Sequence, residues 1–232
     1  ILLVDAGRNR LLRLEVSGGG YERAASSAIR LEESNRNRVA GSDLDGGDPG
    51  LQLSGSSRNV IVHNSIAAGI DIHNGDGVRI EYATAVTRSE IVANGDGAIL
   101  IDGDRNVVAR NRASGGPFAS VALEVAGGER NVIRRNLARY GYLDAEILVR
   151  AAATRALLAG NTATGAPQSE PIADADGIRV EAPGTIIRRN RAIDNADLGI
   201  DAVPGVIDGG GNRAGGNLNP LQCVNVVCGP IG

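Results

Sequence analysis

One unit recurs along the chain, and it constrains the fold more than any other feature. It reads apolar-x-apolar, a glycine-rich corner, then N-x-[IV]-x-x-N. Strong copies are LQLSGSSRNVIVHN at 51–64, ILIDGDRNVVARN at 99–111, LEVAGGERNVIRRN at 123–136 and IRVEAPGTIIRRN at 178–190. Weaker copies stand at 29–42, 146–161 and 200–212. The closing column is expected to hold Ser42, Asn64, Asn94, Asn111, Asn136, Asn161, Asn190 and Asn212. A repeat of this length marks a stack of units, each unable to bury its apolar face alone.

Each unit holds two short alternating segments joined by Gly, Asn and Asp, and none carries a helical stripe. The repeat is therefore a coil of short strands. Aromatic residues make up 2% of the chain, with four Tyr, one Phe and no Trp, so Ile, Val, Leu and Ala must fill a thin interior. A leucine-rich repeat would need L-x-x-L-x-L before the Asn and a helical second half, and both are missing. The pattern resembles the right-handed parallel β-helix repeat of pectate-lyase-like secreted proteins over 29–212. The expected fold is all-β, a single-stranded right-handed parallel β-helix of about eight coils over 1–204. A capping segment, 205–232, is expected to cover its open end.

Composition removes several function classes. All 24 basic residues are Arg, so Schiff-base chemistry and a lysine-ended phosphate loop are excluded. The net charge is −3, and no aromatic residue interleaves the basic stretches, which argues against nucleic acid. No apolar run approaches the roughly eighteen residues of a membrane span. The start, ILLVDAGRNRLLRLEV, looks like the middle of a pattern, so a trimmed piece of a longer precursor is expected. Cys223 and Cys228 permit a small disulfide loop or a buried thiol pair. If bonded, they imply a secreted, cell-surface or periplasmic location.

Stacking places Arg30, Gln52, Asp71, Leu100, Glu124, Arg179 and Asp201 in one outward column. Glu32, Ser54, His73, Asp102, Ala126 and Glu181 form its neighbour. Such a row is the solvated face of any sheet. In the resembled families it also carries the chemistry. Asp71, His73 and Asp102 could serve acid and base steps on a glycosidic bond or a uronate carbon. Pectate lyases pair calcium with an Arg base, for which Arg150 or Arg179 would stand. Tyr140 to Ala145 resembles the beginning of the Tyr-Gly-x-Asp-Pro-His string of uronan epimerases, without its Pro and His. Glu124 and Arg150 are expected to bind, and Arg110, Arg135 and Arg189 to form a stripe for a polyanion. Turns NGDG and DADG would offer Asp76, Asp96 and Asp176 to calcium, and the stretch 75–86 is expected to lengthen one coil, as a loop beside the solvent-facing groove or as an extra short strand.

The functional expectation is a secreted or surface module that is structural or binds an extended, anionic polysaccharide along its solvent-facing sheet. The alternative is a polysaccharide lyase, uronan epimerase or glycoside hydrolase acting on a uronate-containing glycan. Partner domains of a parent protein, or a homotrimer as in several β-helix surface proteins, are compatible with either.

Overall fold

The computed structural model describes residues 1–17, 27–45, 49–67, 69–73, 78–81, 84–86, 98–115, 121–141, 144–165 and 175–231. They form three long parallel sheets that the chain visits in rotation, and a two-stranded one that pairs Gly128–Glu129 with Ala153–Thr154. The first has ten strands, from Leu2–Val4 to Cys223–Val224; the second has nine, from Arg10–Leu12 to Ile207–Asp208; the third has ten, from Glu15–Ser17 to Cys228–Pro230. Every strand pairs with its counterpart one coil earlier or later, which is why no coil stands alone.

The register follows the apolar alternation. Ile29, Leu51, Ile70, Ile99, Leu123, Ile147, Ile178 and Ile200 face one another in turn, and each is 0–1% exposed. The middle residue of each second-sheet strand does the same, as Val39, Ile61, Ile80, Val108, Ile133, Leu158 and Ile187. Columns of β-branched and Leu side chains thus run the length of the interior.

The Asn column fills the corner between the second and third sheets as a hydrogen-bonded ladder. The backbone amides of Ser42, Asn111, Asn136, Asn161 and Asn190 donate to Oδ1 of Asn64, Asn136, Asn161, Asn190 and Asn212, at 2.9–3.1 Å. Each side-chain amide donates in turn to a carbonyl of the preceding coil, as Asn136 Nδ2 does to Val108 O at 2.9 Å. The first Asn of the motif builds a second ladder through Asn37, Asn59, Asn106 and Asn131. Asn94 lies outside the described residues. It also follows Thr84–Val86, the third-sheet strand of its coil, whereas the column precedes that strand.

Within 75–86 the strand alternative holds, and two strands stand in place of a loop. Arg79–Glu81 and Thr84–Val86 pair in register with the coils on both sides. Val78 and Ile80, both fully buried, supply the alternation although this coil lacks the N-x-[IV]-x-x-N pair.

Coil length varies chiefly in one place. Two residues separate each second-sheet strand from the third-sheet strand that follows, from Leu12/Glu15 through Arg188/Arg191. The spacing between third-sheet and next first-sheet strands is uneven, short between Ile66 and Ile70 and long between Val86 and Ile99. That corner borders the outer face of the first sheet.

The corners force left-handed backbone on residues other than Gly. Arg8, Arg36, Arg58, Arg105, Arg130 and Arg155 occupy one column with φ between 52 and 65°, where Gly184 and Gly205 stand in later coils. Each L residue in that conformation costs about 1 kcal/mol or more relative to Gly. Residues 205–231, read as a cap, still contribute strands to all three sheets, and a Cys223–Cys228 disulfide ties the last first-sheet strand to the last third-sheet strand.

Candidate active site

The outward column of the first sheet runs Asp71, Leu100, Glu124, Leu148, Arg179 and Asp201. The sequence-based column omitted Leu148 because the repeat at 146–161 is degenerate there. Leu148 is fully buried on this outer side and packs with Val121 and Ala145 in an apolar cluster separate from the main core. Around it the sheet carries charge.

Arg150 donates from Nε to Glu124 Oε1 at 2.8 Å, and its terminal nitrogens lie 3.5 Å from Asp144 Oδ2 and 3.8 Å from Glu181 Oε1. Arg179 donates from Nε to Asp176 Oδ2 at 2.8 Å, with Nη1 3.5 Å from Asp144 Oδ1. Asp144 therefore sits between two guanidiniums. Three of these side chains reach solvent to a similar degree, Asp144 at 35%, Glu181 at 34% and Arg150 at 36%, so the junction has an open surface. Glu124 lies beneath, 4% exposed, and its Oε2 is buried with no hydrogen-bond partner among the described residues.

The electrostatics follow from burial. Asp176 is 1% exposed, and burial pushes its carboxyl up to about 6; the Arg179 guanidinium and the Leu198 amide pull the other way, and Asp201 adds to the rise. Burial works against the charge on Arg150 and Arg179, but their carboxylate partners outweigh it and push both guanidiniums further up.

The sequence-predicted residues are partly gathered here. Glu124, Arg150, Asp176 and Arg179, drawn from three different expected roles, meet in one cluster. Both Asp176 oxygens accept protein donors, Arg179 Nε and the Leu198 amide. Asp76 and Asp96 lie outside the described residues. Among those described, no group of three or more His, Cys, Asp or Glu could hold a metal ion.

Asp71 lies two strands from Glu124 and four from Arg179, about 10 and 19 Å along the stack. The His73 backbone pairs with Ser54, and Asp102 follows it one coil later. Asp102 folds over the next coil, where a Cβ on Gly127 would come within 2.6 Å of Oδ1. Arg110, Arg135 and Arg189 occupy a different edge, the corner after the second sheet, with Gly160 interrupting their row as expected.

Two carboxyls escaped the sequence. Asp144 falls between repeat units, and only the epimerase-like start of its string pointed to it. Glu146 interrupts the apolar strand Ala145–Val149, is 2% exposed and accepts the Gly141 amide at Oε2. Burial pushes it up to about 8. Its neighbours Ala145 and Ile147 pair with Val121 and Leu123, which flank the main-core residue Ala122, and it belongs to the interior.

A family model of the right-handed β-helix region matches residues 7–113. No curated protein sequence matches the chain. Among solved structures, the periplasmic alginate epimerase AlgG superposes with a TM-score of 0.62 at 15% identity, covering 81% of this chain and 46% of that one. DFA-IIIase from Arthrobacter chlorophenolicus A6, in complex with GF2, superposes with a TM-score of 0.57 at 15% identity, covering 96% and 68%. The chain thus spans about half the length of the epimerase. At such low identity the agreement concerns architecture, and there it is consistent with the paired strands and the Asn ladders: the chain is a right-handed parallel β-helix.

Proposed function

We propose that the chain is an exported carbohydrate-active enzyme that removes a proton beside the carboxylate of a uronate-containing polysaccharide, at the outer face of the first sheet. The observation that carries this reading is the junction of Arg150 and Arg179 around Asp144, with Asp176 held near a pKa of about 6 beneath it. The fold shared with an alginate epimerase puts a uronate polymer first among substrates. The Cys223–Cys228 disulfide supports export.

The residues divide the work by charge and burial. Arg150 and Arg179 are poor bases, because their neighbours strengthen their hold on the proton. As fixed cations they suit a substrate carboxylate and the negative charge that develops on it. Asp144, open to solvent between them, is the base that takes the proton. A substrate carboxylate that draws Arg179 away from Asp176 removes the cation restraining that carboxyl's proton affinity. Asp176 is then a protonated acid, able to return a proton to the sugar carbon or to a departing glycosidic oxygen. A sugar hydroxyl donating to Glu124 Oε2 would satisfy that buried acceptor.

Incubation with alginate and pectate tests the reading, with absorbance reporting unsaturated uronates and proton NMR in deuterated water reporting exchange at the carbon beside the carboxylate. Asp144→Asn should lower the rate by at least about 100-fold. For the wild type, kcat/KM should fall as pH rises through about 6, and Asp176→Asn should lose that limb. New reducing ends with neither unsaturation nor exchange would replace this reading by a hydrolase. Full activity in Asp144→Asn would end it.

A further inference from the structure

The second sheet carries on its outer side a column that the proposed chemistry leaves unused: Val60, Val107, Val132, Leu157, Ile186 and Ile207, with the Arg79 backbone in register between the first two. Val60, Val107, Val132 and Leu157 are half-buried, Ile186 is 37% exposed and Ile207 is 52% exposed, a shallow aliphatic floor. Arginines line both sides. Two residues before the floor stands the left-handed column Arg58, Arg105, Arg130 and Arg155; three residues after it come Arg110, Arg135 and Arg189. Successive coils place these side chains about 4.8 Å apart along the axis.

Two independent observations indicate that these guanidiniums serve a ligand. The first is backbone strain. The corner demands left-handed backbone, Gly meets that demand freely at Gly184, Gly205 and Gly160, and Arg occupies the same columns elsewhere at a conformational cost. The second is charge left unneutralised. Arg155 lies 2.7 Å and Arg130 3.6 Å from Glu129, but Arg36, Arg58 and Arg105 are exposed and form no ion pair among the described residues. This basic flank belongs to a chain of net charge −3, so the positive potential is concentrated there.

We infer that the outer face of the second sheet is a separate binding surface for a linear anionic polysaccharide lying along the solenoid axis. Its anionic groups meet the two arginine rows while the C–H faces of its sugars rest on the aliphatic floor. No aromatic ring among the described residues of this flank offers a base a stacking platform, which disfavours single-stranded nucleic acid. The floor lies level with a flat sheet and forms no protruding amphipathic element, which disfavours a bilayer.

The test is retardation in native gels containing polygalacturonate, with neutral dextran as the control polymer. The variant replaces Arg58, Arg105, Arg135 and Arg189 together by Gly, the residue already found in both columns, so the corners keep their backbone. The wild type should be retarded by polygalacturonate and not by dextran, with the effect fading as salt rises. The quadruple variant should melt at or above the wild-type temperature and bind at least about tenfold more weakly. Equal retardation of variant and wild type, none for either, or equal retardation in dextran would each overturn the inference. So would preferential binding to oligothymidylate or to phosphatidylglycerol vesicles. Because Asp144→Asn leaves this flank intact, loss of catalysis without loss of retardation separates the two surfaces.

Discussion

Glu146 pays for its place in the interior with its charge. Buried and accepting one backbone amide, it holds a proton to about pH 8, whereas an unfolded chain would release it near the ordinary 4.5. The sign follows from proton counting. Between those values the folded state binds more protons than the unfolded state, so the contribution of this group is full below about 4.5 and is lost as pH rises to about 8. Glu146→Gln should therefore stabilise the fold at pH 8 by a few kcal/mol, at about 1.4 kcal/mol per pKa unit, so that the melting temperature rises there and its pH dependence flattens over that interval. Calorimetry at pH 5 and pH 8 checks this; an equal effect at both would refute it. At this scale the sequence was only partly legible. Glu124, Arg150, Asp176 and Arg179 could be singled out from repeat position and residue chemistry. Their convergence could not, because it depends on how far long side chains reach across coils. Asp144 and Glu146 were missed for the opposite reason: one falls between repeats and the other interrupts an apolar strand, so periodicity assigns neither a face.

The ladders are the elements that fix coil to coil. Asn161 accepts the Asn136 amide at Oδ1 and donates from Nδ2 to Ile133 O at 2.9 Å. Asn161→Ala would leave the Asn136 amide buried and unpaired and take one donor from Ile133 O, at a cost of about 1–3 kcal/mol. The expected result is a lower urea midpoint with an unchanged slope, and an unchanged midpoint would argue against a structural role for the column. The ladder was readable wherever the N-x-[IV]-x-x-N unit was intact. It failed at the coil spanning 70–86, where VRIEYATAV holds no Asn although Arg79–Glu81 and Thr84–Val86 are strands. There the buried Val78 and Ile80 preserve the register, a signal too short to outweigh a missing motif.

The solenoid as a whole ends more firmly than the repeat suggested. Cys223 and Cys228 join strands of two different sheets across a five-residue separation. Replacing both by Ser should cost about 2 kcal/mol and speed amide exchange chiefly in Cys223–Val224 and Cys228–Pro230, where uniform acceleration along the chain would contradict a local role. The fold class was legible because a stack repeats its own evidence coil after coil. The distribution of charge over its flanks was not, since it required knowing which corner each Arg occupies. The uneven corner has a further meaning for how such a molecule can change. With the other corners nearly constant in length, insertions and deletions can accumulate at a single edge, and that edge borders the acidic junction of the first sheet. The contour around a bound chain can thus be recut by evolution or by grafting, while the scaffold beneath keeps its gauge.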